Sequence, residues 1–268
     1  MADTAVTGTQ SDLAVNRKGM TFEMDQGVYA RAAIGLIVLA SDQTIEYEFR
    51  RIFDLPGVAL FESRIYNDTT ITPETLKAME AGMTEAARLI LPGIPLDVVA
   101  YGCTSGAMTI GDDKVAELIH QARPGVACTS PMKATMAAFE VLGARRIALL
   151  TPYLDEINHA MRGFIEARGI SVPVMGSFNE PNDNKVGRIS PESIRAAALE
   201  LGRSDLVDAV FVACTALRVV EIAAEIEAEL GKPVTSSNHA MAWHCLRLAG
   251  IDDPLPHLGR LFTLKLAG

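Results

Sequence analysis

The sequence predicts an α/β fold of two pseudo-symmetric lobes, each a four-stranded parallel sheet flanked by helices, with a site in the cleft between them. Three observations carry this prediction. Short apolar, β-branched runs alternate with amphipathic segments, the pattern of successive βα units. Runs such as Asp97-Val-Val-Ala-Tyr101 and Arg146-Ile-Ala-Leu-Leu150 are continuously apolar, as parallel strands buried on both faces must be. The pattern also occurs twice. Ile34-Gly-Leu-Ile-Val-Leu-Ala40 matches Ile147-Ala-Leu-Leu-Thr-Pro-Tyr153, and Asp97 to Thr104 matches Asp208 to Thr215. Thr72-Pro73-Glu74 matches Ser190-Pro191-Glu192, so three features recur in one order at offsets between 111 and 118 residues.

In the first half, strands are expected at 33–39, 58–62, 96–102 and 125–129, and helices at 43–53, 73–91, 106–122 and 131–142. The second half places strands at 145–151, 171–176, 208–213 and 233–236, with helices at 154–168, 191–202, 218–230 and 238–249. The first strand of each half is followed by an acidic helical run. Thr72 and Ser190 supply N-cap hydroxyls, each followed by Pro at the first helical position and then an acid. Residues 31–130 form the first lobe and 131–234 the second, with 235–268 returning to the first; residues 1–30, polar and small, are expected as a flexible arm.

Composition narrows the function. With 268 residues and 49% hydrophobic content the chain can bury a large core, which excludes disorder as its main state. Twenty-four basic against 33 acidic residues leave a net charge of −9, which argues against nucleic acid or anionic lipid as partner. No apolar run approaches membrane-spanning length, the opening residues hold no signal-peptide core, and free cysteines point to a reducing cytoplasm. Cys103, Cys128, Cys214 and Cys245 are too few and scattered for a disulfide framework, and none is spaced as a zinc pair. Neither a P-loop nor a G-x-G-x-x-G after a strand occurs, so nucleotide binding lacks a basis. No metal and no cofactor are expected.

Cys103 and Cys214 hold equivalent places in the repeat, each ending an apolar strand before an expected helix. A thiol there is expected to have a lowered pKa, because the helix dipole and free N–H groups favour thiolate. The same N–H groups, with the hydroxyls of Thr104, Ser105 and Thr215, would bind a carboxylate. A lone cysteine is more often a small buried hydrophobe, which is the reading kept for Cys128 and Cys245. His239 could touch ligand or stand in solvent, and it is five residues from His244, the wrong spacing for a metal pair on one helical face. Asp155 and Glu156 read as charges on a helix N-terminus.

Taken together, Gly102-Cys103-Thr104-Ser105-Gly106, Thr151-Pro-Tyr153 with Asn158, Cys214-Thr215 with Leu217-Arg218, and Val234-Thr-Ser-Ser-Asn238 with Ala242-Trp243 resemble the Asp/Glu racemase superfamily. The resemblance runs from about Ile34 to Phe262 and is strongest to its branch of maleate cis–trans isomerases and arylmalonate decarboxylases. Ser236-Ser237-Asn238 with Trp243-His244 is also similar to the racemase-like proteins associated with ectoine utilisation.

The resemblance implies a cofactor-independent isomerase or racemase of a small carboxylate, acting through the Cys103 and Cys214 pair. Racemases of the superfamily pass an α-proton between two thiols. Its maleate isomerases add the first cysteine to the double bond, and its decarboxylases keep only the second cysteine, so the presence of Cys103 disfavours decarboxylation. The resemblance assigns substrate binding to Ser41, Asp42, Thr104, Ser105, Tyr153, Asn184 and Thr215, with Asn182 as a rival to Asn184. Asp42 departs from the maleate isomerases, which carry Asn there; an acid beside a dianion repels it, which favours a nitrogen-bearing substrate. A homo-oligomer is expected. From a different class, a two-lobed binding protein without turnover is the competing possibility.

Overall fold

A computed structural model describes residues 15–267; residues 1–14 of the expected arm lie outside the described residues. Residues 15–28 run exposed, without helix or strand. From there the chain builds two four-stranded, all-parallel sheets flanked by helices.

The first half runs β1 (Ala32–Leu39), α1 (Ile45–Ile52), β2 (Val58–Ile65), α2 (Pro73–Ala78), α3 (Glu80–Leu89), β3 (Val98–Gly102), α4 (Thr104–Ile110), α5 (Asp112–His120), β4 (Ala127–Thr129) and α6 (Pro131–Leu142). The second runs β5 (Arg146–Thr151), α7 (Asp155–Glu166), β6 (Ser171–Ser177), α8 (Asp183–Val186), α9 (Pro191–Gly202), β7 (Ala209–Val212), α10 (Ala223–Leu230), β8 (Val234–Ser236) and α11 (Ser237–Leu248). Two 3₁₀ turns follow, Pro256–Leu258 and Arg260–Thr263. Strand order is β2-β1-β3-β4 in one sheet and β6-β5-β7-β8 in the other, so the repeat seen in sequence is a repeat of topology.

All eight expected strands form, and of the four inner strands β1, β3 and β7 are buried along their whole length and β5 all but its first residue. Two expected helices are each divided. The 73–91 helix breaks at Met79, and the 106–122 helix breaks at Gly111, whose φ of 93° leaves the helical region. Thr72 and Ser190 cap α2 and α9 as expected, accepting from the N–H groups of Thr75 and Ser193.

The final helix of each half reaches across the molecule. α11 is buried along nearly its whole length and packs on β3, α1 and α6. α6 in return sets Phe139 edge-on to Phe211 of β7, with ring centroids 5.7 Å apart. This exchange locks the sheets side by side with their carboxyl strand ends facing one region, where ligands of parallel sheets bind. Among the described residues, no helix is long and apolar enough to cross a membrane.

Candidate active site

Cys103 follows β3 and is itself the N-cap of α4: its Sγ accepts the N–H of Gly106 at 3.2 Å. The motif around it allows little else. A Cβ on Gly106 would stand 2.9 Å from the Cys103 sulfur and 2.6 Å from the Tyr101 hydroxyl. One on Gly102 would stand 3.0 Å from the Ile37 carbonyl oxygen, a backbone atom that cannot move aside.

Cys214 is presented differently. No helix starts behind it; residues 215–222 form successive turns, and α10 begins only at Ala223, not at 218 as expected. Its φ of 120° is a strained value for a residue with a Cβ. Contacts from outside the turn hold it there. The Cys214 N–H donates to Ser237 Oγ at 3.0 Å, and the same oxygen accepts the Thr104 hydroxyl at 2.8 Å, so one serine ties the two thiol-bearing turns together. Glu48 of α1 accepts the N–H groups of Val219 and Val220 at 2.6 and 2.7 Å. Its other oxygen accepts from Asn238 Nδ2, which also donates to the Thr215 carbonyl, both at 2.7 Å. The Thr44 hydroxyl donates to the Ala216 carbonyl at 2.9 Å.

Both thiols line one cavity, together with Thr104, Ser105, Tyr153 and Thr215. The free space is about 20 Å³, room for a water or two. A four-carbon acid therefore needs the walls to part. Those walls include residues 67–79 of the first lobe and Asp183 of the second; beside the cavity Thr70 pairs antiparallel with Asn182, and the Asp183 N–H donates to the Thr69 carbonyl at 3.1 Å. Tyr153 is placed by a turn that Thr151, Asn158 and Ser177 brace: Asn158 Nδ2 and the Ser177 hydroxyl donate to its carbonyl at 2.8 and 2.6 Å. Its own hydroxyl faces the Cys214 thiol and Ser105.

Three expected site residues, Ser41, Asp42 and Asn184, and the rival Asn182 are not on the cavity wall. Asn184 is exposed, its side-chain oxygen accepting from Gln43 at 3.3 Å. Asn182 is spent as the cap of α8, accepting the Lys185 N–H at 3.2 Å. That cap turns the intervening residue, Asp183, into the cavity, and sequence spacing alone could not tell the three apart. Ser41 stands behind it, donating its hydroxyl to Asp183 and accepting from Asn67 Nδ2 at 2.7 Å. Asp42 is buried but faces its own helix, accepting the N–H groups of Thr44 and Ile45, each at 2.8 Å. Burial pushes its carboxyl up to about 6 against these hydrogen bonds. Glu48 and Ser237 were not singled out by sequence; the Ser-Ser-Asn segment was the available signal.

The expected lowering of the thiol pKa values is reversed. Burial pushes Cys103 up to about 12, and the Asp183 and Asp42 charges raise it further, against the pull of the Gly106 N–H and Ser105. Burial and Asp183 likewise push Cys214 well up. The helix start does act on Cys103, but burial of the thiol with acids beside it outweighs half a helix charge. His239 is neither at the ligand nor in solvent. It is fully buried, bonded to the Leu258 carbonyl at 2.7 Å, and burial lowers it to about 4.

The model of the arylmalonate decarboxylase family matches residues 34–262. A maleate isomerase of Nocardia farcinica is 30% identical over 241 residues, covering 85% of this chain and 94% of that one. An arylmalonate decarboxylase of Bordetella bronchiseptica is 25% identical over 243 residues, covering 85% and 95%. Among solved structures, a cysteine-to-serine mutant of the N. farcinica maleate cis–trans isomerase, with a covalently bound succinylcysteine intermediate, superposes with a TM-score of 0.77. It is 27% identical and covers 87% of this chain and 98% of that one.

Proposed function

The chain belongs to the arylmalonate decarboxylase family, and from that premise we propose that it is a cofactor-independent isomerase or racemase of a small carboxylate, working through Cys103 and Cys214. The observation that carries the reading is that two thiols, one from each lobe, line a single enclosed cavity with Tyr153, Thr104, Ser105 and Thr215 around them. Hydroxyls and the N–H groups at the start of α4 would receive the substrate carboxylate and stabilise charge that develops on it during reaction.

Both thiols are neutral at pH 7 in the closed cavity, so ionisation of one accompanies substrate binding. For racemisation, the thiolate removes the α-proton to give an enediolate-like species, and the S–H of the other cysteine protonates the opposite face. The cysteine left as thiolate then exchanges its charge with the other through solvent. For cis–trans isomerisation, the Cys103 sulfur adds to one alkene carbon while a proton from Cys214 reaches the other. The new single bond rotates, and elimination returns proton and thiolate. The succinylcysteine of the N. farcinica mutant supports this second route as a chemistry of the family. The four free thiols fit a reducing, cytoplasmic setting.

Incubation with candidate carboxylates in D₂O, followed by NMR, tests the reading. Deuterium entry at the α-carbon with loss of chirality identifies a racemase, and conversion of maleate to fumarate an isomerase. Release of CO₂ would assign a decarboxylase instead. Tight binding with no turnover across the panel would leave a binding protein and overturn the enzyme.

A further inference from the structure

The cavity wall carries acids and no base. Asp183 and Asp68 line it, Asp42 lies just behind, and no Lys, Arg or His is among the lining residues. Asp183 is the decisive group. It is 9% exposed, one carboxylate oxygen takes the Ser41 hydroxyl, and the other has no hydrogen-bond partner among the described residues. Its neighbour Lys185 turns outward to Glu180 at 3.6 Å. A carboxylate buried without a cation is costly, and none is supplied to it among the described residues.

We infer that Asp183 receives a cationic nitrogen of the substrate, such as an ammonium group close to the carbon on which the thiols act. This rests on the two-thiol reading above and names its substrate class: an amine-bearing carboxylate, not a dicarboxylate dianion. The substrate would place its carboxylate on the hydroxyls of Ser105 and Tyr153, since Thr104 and Thr215 donate theirs within the protein, and its nitrogen on Asp183. Such a cation has a second effect. Asp183 is among the charges that hold both thiols in the neutral form, and a cation bound to it cancels that field at the moment a thiolate is needed. Asp42 is placed less well for this role, because it is not among the lining residues and one of its oxygens holds the N–H groups at the start of α1. Ser41, fixed by Asn67, orients the Asp183 carboxylate.

Calorimetric binding to the Cys103→Ser/Cys214→Ser double variant tests this without turnover, using matched probes: succinate against D- and L-aspartate, glutarate against D- and L-glutamate, and butyrate against 4-aminobutyrate. At least one amine-bearing member is expected to bind tenfold or more tighter than its partner lacking nitrogen. Asp183→Asn, which keeps the shape, is expected to abolish or reverse that preference, and Ser41→Ala to weaken it. Circular dichroism confirms that each variant is folded; if Asp183→Asn fails to fold, Ser41→Ala carries the test. Preference for the dicarboxylates, equal binding within each pair, or no binding by any amine would overturn the proposal. Failure of the two-thiol reading is separate: it shows as turnover retained in the single cysteine variants, whatever the binding preference.

Discussion

The two thiol-bearing turns occupy equivalent places in the repeat yet are held by opposite means. Cys103 has an ordinary extended backbone, with φ −145°, and caps the helix that directly follows it. Its support is mostly local, from Gly102, Gly106 and its own turn, with one distant tie from Thr104 to Ser237. Cys214 has φ 120° and no helix behind it, and its turn hangs on Glu48 and Thr44 of the first lobe and on Ser237 and Asn238 of α11. A repeat therefore conserves where a strand delivers a side chain without conserving how that side chain is fixed. The place of the second thiol depends on contacts between distant segments, and that of the first far less.

The largest effect is expected from the thiols themselves. Cys103→Ser and Cys214→Ser should each lower turnover by about 10³-fold or more, since a hydroxyl is a poor substitute for an acid/base or nucleophilic thiol. Full activity in either variant, measured by the D₂O assay, would break the equivalence of the two positions.

Glu48 tests the claim that one turn is supported from afar. Glu48→Ala strands the Val219 and Val220 N–H groups in the interior, so a loss of about 3 kcal/mol in urea unfolding is expected. Turnover should fall by about 10²-fold through misplacement of Cys214. The pH dependence has a definite sign. Burial raises the Glu48 carboxyl from 4.5 to about 7, so between those values the folded state binds more proton than the unfolded chain, and stability falls as pH rises. The drop contributed by Glu48 is about 3 kcal/mol by pH 8. Asp42 acts in the same direction from 3.8 to about 6, and His239 and His244, lowered from 6.5 to about 4, act in the opposite direction, so the window from about pH 7 to 8 reports Glu48 most cleanly. Glu48→Gln should flatten the slope there; an unchanged slope would mean that Glu48 is not the titrating group.

Ser237→Ala is expected to be milder, because it removes one hydroxyl that links the two turns. About 1 kcal/mol of stability should be lost, with the Cys214 N–H left to find another acceptor. If the turns are tied as described, turnover falls by about tenfold, more than the stability change alone would produce.

Much of this architecture was legible in the sequence, because burial on both faces writes itself as continuous apolar runs, and a duplicated fold writes itself twice. All eight strands follow from that, as do the places of Cys103, Cys214, Thr104, Ser105, Tyr153 and Thr215. What was not legible depends on geometry across lobes. The turn after Cys214 resembles a helix start by composition, since Ala216, Leu217 and Val219 suit either, and Glu48 capturing two N–H groups, with Asn238 and Thr44 on its carbonyls, keeps it open. The thiol pKa values went the other way from the helix-dipole expectation because the enclosure and the acid opposite them come from distant segments.

The smallest expected effect bears on the same point. Asn182, Asp183 and Asn184 are consecutive, polar and equally plausible as ligand contacts on paper, but the cap that Asn182 gives α8 sends the next two side chains in opposite directions. Asn184 is exposed, and among the described residues its one side-chain bond is to Gln43, itself on the surface, at 3.3 Å. A surface bond of this kind is worth little, so Asn184→Ala should change stability by no more than about 0.5 kcal/mol. KM and kcat for whichever carboxylate the D₂O assay identifies should stay within a factor of about two, a change too small to reflect a lost substrate contact. Asp183→Asn, one residue away, is expected to alter ligand preference outright. A large rise in KM for Asn184→Ala with stability unchanged would mean that the 182–184 segment turns over when the cavity opens to admit substrate, and the inward carboxylate would then belong to the closed state alone.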